Sequence, residues 1–302
     1  MTIFFRTQMD RTLRWLTALA AASIILILGI LIGHIAHHGW EKISWTFISA
    51  APEQGMTAGG IFPAIFGTAA LVIIMTVCVT PIGVFAAIYF SEYANRRSWS
   101  YILARQAVNN LAGVPSIVFG LFGLGFFVQF VGRQMDRTLY GGELHYGQPA
   151  ILWAALTLAV LTLPVVIVSV EEALQAVPQS YRHASLALGS TKSQAVFRVV
   201  LPHAAPGVLT GAILAVSRAA GEVAPILFVG AAYYLPHLPT KLNDQFMELG
   251  YHIFILSTQS PDVDATKPLL YATVFVLLAL TFALNAMAVA IRARMRIAQR
   301  SV

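Results

Sequence analysis

Six long apolar runs constrain this chain more than anything else in it. A helix needs about 20 consecutive apolar residues to cross a bilayer core. Runs of that order lie at Leu16–Ala36, Ile61–Phe90, Ala107–Val131, Ala150–Val170, Val208–Tyr234 and Leu269–Ile291. Composition agrees with a membrane habitat. Of 302 residues, 58% are hydrophobic and 11% charged, whereas roughly a quarter of an average soluble domain is charged. This composition excludes a disordered chain and argues against a soluble globular domain. The expectation is an all-α integral membrane protein with six transmembrane helices. Pro81 and Gly83 interrupt the second run; Pro115, Gly120, Gly123 and Gly125 mark the third, and Pro164 the fourth. Membrane helices tolerate both residue types, so these do not argue against helix. The first run follows Arg6, Arg11 and Arg14 as a signal peptide would. It exceeds a typical signal core and no small-x-small site follows it, so it reads as a retained span.

Loop charge sets the orientation. With the N-terminus inside, thirteen Lys and Arg fall on the cytoplasmic side and five outside, and Arg218 lies within the fifth run. Both termini are therefore expected in the cytoplasm. The formal net charge of +6 forms no basic stripe with interleaved aromatics, so no nucleic-acid partner is expected. Basic residues near the inner surface, such as Arg292–Arg300, suit lipid headgroups instead. The single Cys78 sits in an apolar run, which excludes an intrachain disulfide and points to membrane packing. His34, His37 and His38 cluster near the outer interface, where interfacial solvation is expected ahead of metal binding.

Two features carry chemistry. The first is the stretch Glu171–Pro206, the most polar long segment on the inner side. Its alanines and leucines suggest two short amphipathic helices. Pro178 opens one and Gly189 closes it; Ser190 or Thr191 caps the next, which Leu201-Pro202 stops. Such a pair is either a docking site for a cytoplasmic partner or a hairpin lying on the membrane. The second feature is Arg218 with Glu222, four residues apart and thus on one face of a continuous helix. An unpaired Arg at mid-bilayer costs at least about 2.5–3.5 kcal/mol on insertion scales. Pairing or a wet cavity reduces that cost, and the pair either fixes packing or lines a pathway. A guanidinium fork matches phosphate oxygens two at a time. Glu222 would then hold Arg218 until a passing anion competes for it. Pro115, Ser116 and Gly120 either break the third helix beside that pathway or permit close helix packing. Asn109 and Asn110 are expected to cap that helix at the inner surface.

Other chemistries find no support. No Gly-Lys-Ser or Gly-Lys-Thr occurs, so ATP would have to be bound and hydrolysed by a separate partner. Neither His-Glu-x-x-His nor Gly-x-Ser-x-Gly occurs, and an enzyme is not expected. A secondary transporter would show interrupted helices in corresponding halves. Here the breaks fall in helices two and three, with only a charged pair in five.

The stretch 171–206 resembles the coupling loop of ABC-importer permeases. Ala184, Gly189, Val199, Leu201 and Pro202 fall at its spacing, with His183 at the usual Glu and Ser185 at the second Ala. From Gly59 onward the chain resembles PstA-type permease subunits of bacterial phosphate importers. The matching segments are Gly59–Ala64, Pro81–Gly83, Ser91–Tyr93, Pro115–Phe122 and Arg218–Pro225, with Val223 where Thr is usual. The resemblance implies an ABC type I importer permease fold in the bacterial inner membrane. Residues 1–58 would form an N-terminal tail, first helix and outer loop, and residues 59–302 the permease domain. It implies inorganic phosphate as cargo, with another oxyanion such as molybdate or sulfate as the alternative. Arg182, His183, Ala184, Gly189, Leu201 and Pro202 would serve ATPase coupling, and Arg218 and Glu222 the substrate pathway. Implied partners are a paralogous permease subunit, an ATPase dimer and an extracytoplasmic phosphate-binding protein. ATP and Mg would sit on the ATPase, leaving no cofactor in this chain.

Overall fold

The computed structural model describes residues 2–53, 58–260 and 263–300. Six helices among them are long and apolar enough to cross a membrane: Thr12–Lys42, Phe62–Tyr93, Ser116–Leu139, Ile151–Gln175, Lys192–Ala219 and Thr266–Met295. They are called the first to sixth spans below. A two-stranded ribbon, Pro52–Glu53 with Ala58–Gly59, and an apolar helix, Leu249–Thr258, belong to the outer connections.

The fourth span is the centre of the bundle. Trp153, Ala154, Leu158, Val166, Val170 and Leu174 are all buried on it. The second and fifth spans pack on it from two sides. Within lipid, close packing replaces the hydrophobic effect as the force between helices, and small residues allow it. Gly207 lies against Ala173 and Gly211 against Ser169, which fixes the fifth span antiparallel to the fourth. The first span behaves differently. Every residue from Thr12 to Leu31 is exposed, and its outer end meets the sixth span, with His34 Nε2 3.3 Å from the Tyr271 hydroxyl and Gly39 against the Tyr271–Ala272 backbone.

Backbone groups at helix ends must find partners where water is scarce. The fourth span solves this with the loop that follows the fifth. The N–H groups of Ala150, Ile151 and Leu152 donate to the carbonyls of Val229, Asp244 and Leu242 at 2.8, 2.9 and 3.1 Å. Helix Leu249–Thr258 is capped by Glu248, which accepts from the N–H groups of Gly250 and Tyr251 at 2.8 and 2.6 Å. Glu248 is buried, and the Thr68 hydroxyl of the second span accepts from the adjoining Leu249 N–H at 2.9 Å. Asp136 is buried likewise and holds the N–H groups of Tyr146 and Gly147, each at 2.7 Å.

Loops assigned to the same side by charge meet at the same end. Arg105 pairs with Glu171, and Arg182 with Glu92. At the other end Asn243 donates to the His145 carbonyl, and the Tyr234 hydroxyl donates to Pro52.

Four expectations about helix limits need correction. The second span runs unbroken through Pro81 and Gly83 and ends in a π-helical turn, Tyr89–Tyr93. The third apolar run is not one helix. Helix Trp99–Leu111 ends, residues 112–115 are irregular, and Ser116 starts the span. Pro115 has ψ 138° and no N–H to continue the ladder. Asn109 and Asn110 thus close the preceding helix and do not cap the span. The helix begun at Lys192 does not stop at Leu201-Pro202. A π-turn at Val196–Val200, with Leu201 N–H donating to Val196 five residues back, widens the coil just before the proline and lets it run on. Finally, the fifth helix ends at Ala219, so the apolar residues 220–234 are turns.

Candidate functional site

The inner loop forms the expected helix–turn–helix. Pro178 precedes helix Gln179–Ala187, and Gly189 turns the chain at φ 85°, a region that favours glycine. Thr191, rather than Ser190, caps the next helix. Its hydroxyl accepts from Gln194 N–H at 3.2 Å while the Gln194 side chain accepts from Thr191 N–H at 2.9 Å. His183, Ala184 and Gly189 are exposed, as is Leu188 at the tip, 90% accessible.

Arg182 departs from this group. The expectation puts it on the docking face; the structure turns it inward. Its Nη2 donates to Glu92 Oε1 at 2.6 Å and to the Leu174 carbonyl at 2.8 Å, its Nε donates to Glu92 Oε1 at 3.1 Å, and its Nη1 donates to the Val177 carbonyl at 2.7 Å. Side-chain exposures are 11% for Arg182 and 9% for Glu92. Burial demands that every donor be met. The pair therefore locks helix Gln179–Ala187 to the inner end of the second span. Lys192 adds a second tie, its Nζ lying 5.0 Å above the Tyr93 ring. Glu171, buried at the end of the fourth span, pairs with Arg105 and so anchors helix Trp99–Leu111.

Arg218 stands on the last turn of the fifth helix and Glu222 beyond its end, so the two do not share a helix face as expected. They still meet, Nε to Oε1, at 3.5 Å, with side chains 43% and 21% exposed. Carried along the register fixed by Gly207 and Gly211, Arg218 is level with Thr162, near the middle of the fourth span. Gly120 comes to the same place. A Cβ there would lie 2.9 Å from the Ala224 carbonyl oxygen, so a glycine lets the segment after Glu222 pass against the third span. Val108, Asn109 and Ala112 share a cavity of about 420 Å³ with Thr210 and Leu214. The break at 112–115 therefore lies beside the turns that lead up to Arg218. No hydrogen bond or ion pair joins Pro115 or Ser116 to Arg218 among the described residues.

Sequence reasoning did not single out Glu92, Glu171 or Arg105. The signal available was the charge of Glu92 inside the Ser91–Tyr93 segment, without an indication of its partner ninety residues away.

A six-span helical bundle, with a helix–turn–helix on its inner face and an arginine at the end of the fifth span, level with the middle of the fourth, has the form of an importer permease. Residues 79–297 match the family described as binding-protein-dependent transport system inner membrane component, and the chain belongs to that family. It is 33% identical over 271 residues to the probable ABC transporter permease protein YqgI of Bacillus subtilis, covering 85% of this chain and 86% of that one. It is 32% identical over 244 residues to the phosphate transport system permease protein PstA of Xylella fastidiosa, covering 78% and 76%. Against several other PstA sequences it spans less than two thirds of their length. A chain of the bacterial alginate ABC transporter, crystallised with a pentasaccharide-bound periplasmic protein, shares the fold. Its TM-score is 0.64 at 15% identity, over 90% of this chain and 92% of that one.

Proposed function

We propose that this chain is one permease subunit of an ATP-driven importer of inorganic phosphate. The observation that carries the reading is the state of Arg218. Its guanidinium stands at the end of the fifth span, level with the middle of the fourth, partly open, held by one long contact to Glu222. An arginine at that depth needs a reason, and its free donors match an oxyanion. Similarity to proteins named for phosphate transport supports the choice of cargo.

The chain has no nucleotide loop, so the work comes from an ATPase dimer docked on His183, Ala184, Leu188 and Gly189. ATP and Mg belong to that dimer. A paralogous permease would complete the pathway against this one, and a phosphate-binding protein would deliver the anion from outside. Phosphate reaching Arg218 competes with Glu222 for the guanidinium. The retained carboxylate keeps the site weak enough to release its ion. Arg182 and Glu92 would carry movement of the coupling helix to the second span and so switch access.

The test is ATP-driven uptake of labelled phosphate by proteoliposomes holding the assembled transporter. Arg218→Gln is expected to abolish uptake while the subunits still co-purify. Undiminished uptake by that variant would remove Arg218 from the pathway. Uptake of molybdate or sulfate by the unmodified transporter, with none of phosphate, would reassign the cargo within the same mechanism.

A further inference from the structure

The fifth and sixth spans cross in an antiparallel register that sorts their side chains by polarity. On one side Leu209, Ile213 and Val216 face Leu284, Ala288 and Ile291 in an apolar groove shared with the second span. On the other side the contacts are polar. The Ser217 hydroxyl donates to Asn285 Oδ1 at 2.7 Å, and Arg292 Nη1 donates to the Thr210 hydroxyl at 3.1 Å. Both partners step by seven residues, two helical turns, so the bonds stack as rungs along one seam. Arg218 adjoins the upper rung. The lower rung lies eight residues below it, about 12 Å toward the inner surface.

Arg292 is half-buried. Among the described residues its contact is a neutral hydroxyl, and no carboxylate pairs with it. Arg105, Arg182 and Arg218 each have one. Three or more of its donors are therefore open to another acceptor. Thr210 also lines the cavity of about 420 Å³ that Asn109 and Ser169 reach, among mostly aliphatic neighbours. Glu172 lines the same cavity and is exposed, which opposes long residence of an anion there.

We infer that Arg292 and Thr210 form a second station for a phosphoryl oxyanion, at the inner end of a polar seam descending from Arg218. The inference rests on the proposed pathway role of Arg218, but the station can be probed without transport. Two sources carry the same chemistry, free phosphate leaving the pathway and the phosphate of an anionic lipid headgroup. A planar guanidinium beside a hydroxyl recognises either.

The test uses the assembled transporter in nanodiscs, with Cys78→Ser as background and one cysteine introduced at a time. Thr210→Cys and Ser217→Cys are expected to react with a charged, water-soluble thiol reagent, and Leu209→Cys in the apolar groove to react far more slowly. In phosphatidylcholine discs, inorganic phosphate at about ten times its half-protecting concentration is expected to slow labelling of Thr210→Cys about tenfold, because the free site then falls to about a tenth. Adding Arg292→Gln should remove that protection and Arg292→Lys restore part of it. Protection by phosphate in neutral discs identifies the free ion as occupant. Protection that appears only with phosphatidylglycerol in the disc identifies the headgroup. No protection by either, protection that survives Arg292→Gln, or Thr210→Cys as unreactive as Leu209→Cys would overturn the station. Loss of phosphate uptake with the labelling pattern intact would count against the cargo and leave the station standing.

Discussion

Of the three arginine–glutamate pairs among the described residues, Arg182–Glu92 and Arg218–Glu222 differ in nearly every physical respect. Arg182 and Glu92 come from elements ninety residues apart, are about nine-tenths buried, and exchange hydrogen bonds as short as 2.6 Å, with two backbone carbonyls taking further guanidinium donors. Arg218 and Glu222 are neighbours in sequence, half open, and touch once at 3.5 Å. In the first pair four of the five guanidinium donors are taken, so it has little left to offer a ligand, and it behaves as a joint. The second is unsaturated, at a depth where unsatisfied donors are costly, and it suits a transient partner. Equal charges and residue types thus serve opposite ends, and the number of donors already occupied separates them.

The sharpest way to break this contrast is to cut the joint. Arg182→Ala leaves Glu92 buried without a counter-charge, and losing one member of a buried pair costs about 3–5 kcal/mol. Thermal unfolding of the purified complex should shift down markedly, with loss of the co-purifying ATPase. Replacing both members by Arg182→Met with Glu92→Gln should recover much of the loss, because no charge is then stranded. A stable Arg182→Ala complex that transports normally would deny the joint its role.

The same cut at the other pair should read oppositely. Glu222→Gln removes the competitor for Arg218 without stranding a deeply buried charge. Unfolding should move little, within about 1 kcal/mol for a pair this open. Uptake should change in shape: a lower KM, as the anion meets a freer guanidinium, and a lower maximal rate, as release slows. An unchanged KM would place the carboxylate outside the binding step.

How much of this contrast the amino-acid sequence reveals follows from what each part depends on. Span number and sidedness depend on summed apolarity and loop charge, which are local, and all six runs appear. The turn at Gly189 and a cap at Ser190 or Thr191 are local as well. The end of the fifth helix at Ala219 is not, because residues 220–234 stay apolar while their backbone is held by the fourth span: Val229 accepts from Ala150. The break at 112–115 was hidden for a related reason, since proline and glycine inside lipid-facing runs do not by themselves end a helix. The identity of Arg182's partner lies wholly in tertiary packing, and the exposed face of the inner helix–turn–helix could be separated from its buried face only once Glu92 was in place.

A smaller effect tests whether the loop's own stiffness matters beside the joint. Thr191→Ala removes half of the capping box between Thr191 and Gln194. Loss of such a cap costs about 0.5–2 kcal/mol. The complex should soften by that amount, read in the same unfolding experiment, while the KM for phosphate holds. A shift in KM would mean that loop geometry reaches the pathway directly.

The smallest effect concerns Lys192 above the Tyr93 ring, which ties the helix after the Gly189 turn to the same end of the second span, at the surface. Tyr93 is 44% exposed, and a cation–π contact in water is worth about 0.5–1 kcal/mol. Lys192→Met keeps much of the stem's length and removes the charge, so unfolding should shift by no more than that, and ATP-driven uptake should stay near its original rate. The informative variant is the combination with Arg182→Lys, which keeps the joint's charge but loses its fork. If the two ties act in parallel, the weakened joint makes the surface tie matter more, and the double variant should lose more uptake than the two single losses predict. If the losses simply add, movement passes through Arg182 and Glu92 alone, and Lys192 serves the stability of the loop without serving its coupling.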